Sequence, residues 1–254
     1  MLDAIRGLAA LGVLLFHAGY LASGWTAVPV FFALSGYLIT RQLIGGMKPG
    51  EFWQRRATRL LPLFYLYLAT NLVSAIAQGH DTTGYGWHFL GLSDVMIATG
   101  AAFTHGHIGH LWSIAIELQA YAIWPLIMSS RYRQPILAAL GLVCLAAWVA
   151  AGHSGSMIGT SAFFVVGGLT AISGWQPPRM QAPVALVELG RASYSIYIWQ
   201  MMCVGACARL GVPWLSAPTA IAFGLLSHHF VEPGLAHLLA RQPKRDQDRT
   251  QAVS

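Results

Sequence analysis

Charge is what this sequence has least of. Asp, Glu, Lys and Arg make up 9% of its 254 residues, against roughly 25% in a soluble domain. With 56% hydrophobic residues and so little charge, the chain excludes a large soluble core and reads as an integral membrane protein. Cysteine is scarce too. Cys144, Cys203 and Cys207 all fall in apolar stretches, which excludes a disulfide framework and leaves buried, inert thiols. Lys and Arg are missing from 79–110 and 152–156. That gap tells more than the net charge of +6: the cations are topology signals, and no nucleic-acid partner is needed to explain them.

Apolar runs long enough to cross a bilayer fall near 4–23, 27–46, 60–78, 111–129, 134–151, 156–173, 190–210 and 212–231. They predict an all-α, polytopic membrane helix bundle of about eight transmembrane helices. With both termini cytoplasmic, every Lys and Arg except Arg209 lies inside, the orientation that the positive-inside rule selects. Residues 1–233 form the transmembrane domain, and 234–254 a charged, disordered cytoplasmic tail. A weaker stretch, 88–103, is broken by Gly91, Asp94 and Gly100 and reads as re-entrant or interfacial. The first span is expected to be retained rather than cleaved, because Asp3 offsets Arg6 and His17 interrupts the apolar run.

That first span, D-A-I-R-G-L-A-A-L-G-V-L-L-F-H, carries Arg6 and His17 with almost nothing polar between them. Ionisable groups within a membrane are costly and mark functional sites by default. At about 1.5 Å of rise per residue, His17 sits roughly 20 Å above the inner face. Glu117, Ser35 and Gln200, from three other spans, fall at about the same depth. Ser35 and Gln200 alone read as interhelical hydrogen bonding. A Glu117–His17 pair would satisfy both groups and give a basic imidazole, as a general base requires. Below this layer lie Arg6 and Arg41. Asp3 is placed to pair with Arg6 along one helix face, and Glu232 is a second possible partner. A polar mid-membrane layer above a cationic mouth suits a ligand with a phosphate-rich head and a long thin arm. Coenzyme A esters have that shape, without being singled out by it.

Residues 51–61, E-F-W-Q-R-R-A-T-R-L-L, put Arg55, Arg56 and Arg59 at helical spacing. Two readings are open: an amphipathic helix on the inner leaflet, or a phosphate-binding patch. Pro62 predicts a break before the third span. H-G-H-I-G-H holds His105, His107 and His110, but its glycines disfavour a helix and no Cys or carboxylate is close, so no metal site is expected.

Six motifs in order over residues 2–233 resemble the membrane acyltransferase family 3, bacterial enzymes that acylate sugars and other envelope or secreted molecules. They are Asp3, Arg6 and His17; F-F-A-L-S-G-Y, ending at Tyr37; R-R-A-T-R-L-L-P, at 55–62; H-L-W-S-I-A-I-E, ending at Glu117 and followed by W-P-L; S-Y-S-I-Y, at 193–197; and V-E-P, at 231–233. The resemblance implies transfer of an acyl group, acetyl above all, from a coenzyme A thioester to a hydroxyl of a sugar or other envelope acceptor, in the bacterial inner membrane, with no resident cofactor. It implies His17 as general base or nucleophile, with Glu117 orienting it. Arg6, Arg41, Arg55, Arg56 and Arg59 would bind the donor's nucleotide end, and Ser35, Trp112 and Ser113 would line the thioester site. Two departures stand out. The family usually has about ten spans, so this is a shortened member, the missing length lying before Phe163 and between Ser173 and Glu188. Gln200 stands where the family commonly has His. A proton-linked transporter, a non-catalytic relative and a scaffold with polar interhelical bonds are the other readings of the same residues.

Overall fold

The computed structural model describes residues 1–101, 107–150, 157–178 and 180–240, and every regular element among them is helical. In chain order these are α1 (Leu2–His17), α2 (Ala27–Ile44), α3 (Pro49–Ala77), α4 (Tyr85–Phe89), α5 (Ser93–Thr99), α6 (Trp112–Ser129), α7 (Arg133–Ala150), α8 (Met157–Thr160), α9 (Ala162–Ile172), α10 (Val184–Arg191), α11 (Ser193–Arg209), α12 (Ser216–Leu226) and α13 (Glu232–Ala240). Arg179, His105 and the predicted tail from 241 onward lie outside the described residues.

Each predicted span corresponds to a helix, but several are shorter than expected. Four helical stretches among the described residues are long and apolar enough to cross a membrane: Gly24–Ile44, Pro49–Ala77, Gly109–Ser129 and Arg133–Ala150. The first span ends at His17 rather than at 23. Gly19, at φ +82, takes the left-handed conformation that closes a helix. Its N–H bonds Phe16 O at 3.0 Å and the Tyr20 N–H bonds Leu15 O at 2.8 Å, which satisfies the last carbonyls. After the last predicted span, α13 covers Glu232–Ala240.

The break expected at Pro62 does not occur, and α3 is continuous through it. A proline inside a helix forfeits one backbone hydrogen bond and costs about 3 kcal/mol in water. Here Leu60, Leu63 and Phe64 on either side are buried, and their packing holds the helix together. Helices in membranes tolerate proline for this reason.

Backbone contact sets how the helices cross. On α2 and α9, a Cβ at Gly36 would overlap the Phe164 carbonyl, and one at Gly167 the Ala33 carbonyl. On α1 and α10, Gly7 meets the Leu186 carbonyl and Gly190 the Asp3 carbonyl in the same way. With no aqueous hydrophobic effect between lipid-embedded helices, such small-residue crossings and interhelical hydrogen bonds carry the association. Trp124 Nε1 donates to Thr40 Oγ1 at 2.7 Å, and Tyr194 donates to Leu60 O at 2.7 Å. Trp124, Tyr67, Phe52, Phe64 and Phe164 fill the centre. The outside is apolar: α7 buries only Leu137 and Cys144 and exposes Leu142, Val143, Leu145 and Val149, a surface suited to lipid.

Candidate active site

α1 enters the bundle with Arg6 in its second turn and His17 as its last residue. α2 and α6 supply Ser35 and Glu117 beside it. Ser35 Oγ donates to Glu117 Oε1 at 2.7 Å, and the Tyr121 hydroxyl donates to the same oxygen. Arg6 lies within electrostatic reach of Arg59, Glu117 and Asp3, and its buried Nε has no hydrogen-bond partner among the described residues. These groups enclose a cavity of about 50 Å³, lined by Arg6, Ser35, Ser113, Glu117, Ser193 and Tyr194 among others. Glu117 is therefore a hub that accepts from two hydroxyls, with the Arg6 guanidinium within electrostatic reach.

His17 occupies the next cavity, of about 110 Å³, with Trp25, Pro29, His110, Trp112 and Tyr197. Val28 and Tyr197 line both cavities. The expected His17–Glu117 pair does not form: Glu117 bonds Ser35 and Tyr121, and His17 faces Gln200 and stands edge-on to His110, ring centroids 6.2 Å apart. A shared depth does not give azimuth. At roughly 100° of turn per residue, two groups at one height can face different neighbours. His17 Nδ1, both ring nitrogens of His110 and both amide atoms of Gln200 are buried without a hydrogen-bond partner among the described residues. Buried polar groups are nearly always bonded, so a cluster of open ones suits a polar guest.

Tyr197 divides the two cavities. Its hydroxyl donates to His110 O at 2.8 Å, which leaves Ser113 Oγ, 2.6 Å away, to donate to Tyr197. Trp112 meets Phe32 edge-on at 6.3 Å and lines the His17 cavity. Trp112 and Ser113 thus lie at the candidate site. Tyr121, Tyr197 and His110 were not singled out for it from sequence, although each lies within or near a motif quoted above.

The arginines separate. Arg41 donates to the Tyr37 hydroxyl at 3.1 Å. Arg55 pairs with Glu51 at 2.6 Å. Arg56 donates to Gln42 Oε1 at 2.8 Å and lies over the Phe52 and Tyr121 rings. Arg59 makes no hydrogen bond or ion pair among the described residues and lines a cavity of about 470 Å³ at the junction of α3 and α13. Neither proposed partner pairs with Arg6 directly: Asp3 is exposed, and Glu232 accepts from Ser195 and lies 3.3 Å from His228 Nδ1.

The family described as "Acyltransferase domain", acyltransferase family 3, matches residues 1–179. A relative named as a candidate membrane-bound transacylase, BcsY of Komagataeibacter xylinus, is 33% identical over 181 residues, covering 61% of this chain and 44% of the relative. A candidate O-acetyltransferase of Staphylococcus aureus strain COL is 34% identical over 148 residues, 50% of this chain and 24% of its own. A candidate peptidoglycan O-acetyltransferase of Bacillus subtilis, YrhL, is 31% identical over 173 residues, 57% of this chain and 27% of its own. The chain thus matches less than half the length of each of these relatives. No solved structure matches it. The family match takes in α1, α2, α3 and α6 together with Arg6, His17, Ser35 and Glu117, and the chain belongs to the acyltransferase 3 family of membrane proteins.

Proposed function

We propose that the protein is an O-acyltransferase of the bacterial inner membrane, with about eight spans and both termini cytoplasmic. It moves an acyl group, acetyl in the simplest case, from a coenzyme A thioester to a hydroxyl of a sugar or other envelope acceptor. One observation carries this reading. The Arg6–Ser35–Glu117 cavity adjoins the His17 cavity through the shared lining of Val28 and Tyr197, and Arg59 lies within electrostatic reach of Arg6. Guanidiniums beside a narrow cavity that adjoins an imidazole suit a donor with a phosphate-bearing head and a thin thioester arm. The candidate O-acetyltransferases among its relatives point to the same chemistry.

In this reading His17 takes the proton from the acceptor hydroxyl as its oxygen attacks the thioester carbonyl. The carbon–sulfur bond then breaks, and the imidazolium returns the proton to the departing thiolate. Attack by His17 itself, followed by transfer from an acyl-imidazole, uses the same geometry. Glu117 acts on Ser35, Tyr121 and Arg6 rather than on His17. It fixes the passage and keeps Ser35 Oγ oriented beside the thioester arm, with Trp112 and Ser113 lining the far side. Replacing His17 by Ala is expected to abolish acyl transfer from acetyl-coenzyme A to a sugar pool in membranes while leaving membrane content unchanged. Transfer at the wild-type rate by that variant would refute the mechanism. Proton-driven substrate uptake into vesicles without thioester cleavage would replace it with transport.

A further inference from the structure

Arg209 is the one Lys or Arg residue that the positive-inside orientation leaves on the outer face, and acyl transfer as described above makes no use of it. It lies in the last turn of α11. Among the described residues it forms no ion pair. Its Nη2 donates to Gln78 Oε1 at 3.3 Å, a neutral partner that leaves its other N–H groups open. Gln78 directly follows α3, whose first turns carry Arg55, Arg56 and Arg59. At about 1.5 Å of rise per residue, Gln78 is roughly 28 Å along the helix axis from Arg59.

The Arg209 side chain lines a cavity of about 260 Å³ with Asn71, Ser74, Gln78, His80 and His107. Two local features build it. A Cβ at Gly205 would overlap the His107 ring, so the missing side chain makes the notch in which that imidazole sits. Gly205 and Arg209 are one turn apart on one face of α11, which brings His107 within electrostatic reach of Arg209. Gln78 Nε2 donates to Ser74 Oγ at 2.7 Å while its oxygen accepts from Arg209, so the amide fixes the guanidinium against α3. No Asp or Glu lines this cavity among the described residues. The carboxylate next in the chain to His80, Asp81, accepts from the Thr83 N–H at 2.9 Å.

A guanidinium without a carboxylate partner, set in a polar cavity, favours an anion, and its fork matches a carboxylate through two parallel hydrogen bonds. The amides, hydroxyl and imidazoles around it suit a hydroxyl-rich ligand, and the volume is close to the roughly 300 Å³ lower limit of small-molecule sites. Lipid-facing surface, as on α7, is apolar, and this lining is not. We propose that the cavity binds an acidic saccharide, with Arg209 pairing its carboxylate and His107 and Ser74 meeting its hydroxyls. Tyr67 ties this site to the candidate active site. Its hydroxyl donates to His107 O, its ring stands edge-on to His110 with centroids 5.8 Å apart, and His110 lines the His17 cavity. The saccharide's role as acyl acceptor rests on the acyltransferase reading; its binding does not.

Binding of trigalacturonate and of its methyl triester, which carries the same sugars without the charge, is measured on the purified protein in phosphatidylcholine nanodiscs with no acyl donor present. The wild type is expected to bind the acid about tenfold more tightly than the ester, as one charge-assisted pair provides. Arg209→Gln should bind acid and ester alike, Arg209→Lys should keep part of the preference, and Arg131→Gln should match the wild type. Arg209 is exposed, so Arg209→Gln should unfold at the wild-type temperature. Equal binding of acid and ester by the wild type, an undiminished preference in Arg209→Gln, or binding of neither sugar overturns the site. So does an Arg209→Gln variant that loses only the retention of phosphatidylglycerol from nanodiscs containing it, which would make Arg209 a lipid anchor. Thiol release from acetyl-coenzyme A is measured separately. A preference for the acid without thiol release leaves this site standing and removes the transferase reading, and release without that preference does the reverse.

Discussion

Replacing Glu117 by Ala tests whether a carboxylate hub organises the passage. The side chain accepts from Ser35 at 2.7 Å and from Tyr121 and lies within electrostatic reach of the Arg6 guanidinium. Two hydroxyls would lose their acceptor. The Ser35 bond joins α2 to α6 and the Tyr121 bond lies within α6; interhelical hydrogen bonds in membrane proteins average only about 0.6 kcal/mol each, and with a second bond of similar size the two contribute about 1 kcal/mol. The larger effect is electrostatic. Removing one side of a buried charged arrangement costs about 3–5 kcal/mol because the other side is left uncompensated. Arg6 is partly buried, with an unpartnered Nε, so a loss of about 3 kcal/mol is expected, at the lower end of that range. Glu117→Gln, which keeps an acceptor oxygen, restores the hydrogen bonds but not the charge. The assay is reversible unfolding in mixed detergent micelles, with Ser35→Ala in both backgrounds. Ser35→Ala should cost roughly 0.6 kcal/mol in the wild type and nothing when Glu117 is already Ala. A Glu117→Ala loss below about 1 kcal/mol, or an equal Ser35→Ala cost in both backgrounds, would refute the hub.

Other elements of the structure give further expectations. Gly167→Leu should drive α2 and α9 apart, because even a Cβ there overlaps the Ala33 carbonyl. The expected loss is at least about 3 kcal/mol, the upper end for overpacking, read by the same unfolding assay, whereas Gly86→Ala, within α4 and with open space around it, should be neutral or stabilise by up to about 1 kcal/mol. Trp124→Phe removes the bond to Thr40 and should cost about 1 kcal/mol or slightly more, and Thr40→Val in the same chain should recover part of it. On the α4 segment outside the spans, burial pushes His88 down to about 4. A histidine lowered in the folded state favours folding when neutral, so its contribution is complete above about pH 6.5 and is lost as pH falls toward 4. The unfolding midpoint should drop across that window, and less steeply in His88→Gln. An identical pH profile in the variant would contradict the assignment.

The helical architecture was legible because eighteen-residue apolar runs and their flanking cations obey a strong physical constraint. α2, α6 and α7 lie within a few residues of their predicted limits. Where expectation failed, a local interaction had outweighed the pattern. The glycine at 19 closed α1 early, and packing around Pro62 kept α3 whole. At the site, depth along each span brought Ser35 and Glu117 into contact but not Glu117 and His17, because rotation about the helix axis depends on packing that a linear pattern does not contain. The same limit hid the Gln42 partner of Arg56, which lies on another helix, whereas Arg41–Tyr37 and Arg55–Glu51 are i,i+4 pairs within one helix that helical spacing alone contains; the π-helical turn at Ser227–Val231 has no strong signature of its own beyond H-H before V-E-P.

The central claim is thioester-dependent acyl transfer at His17. The direct measurement is thiol release from acetyl-coenzyme A by the purified, detergent-solubilised protein, beside His17→Ala, with and without a pool of candidate sugars. Release should rise with an acceptor present and fall to background in His17→Ala. Release that persists in the variant, or none from the wild type with any acceptor although coenzyme A binds, would contradict it.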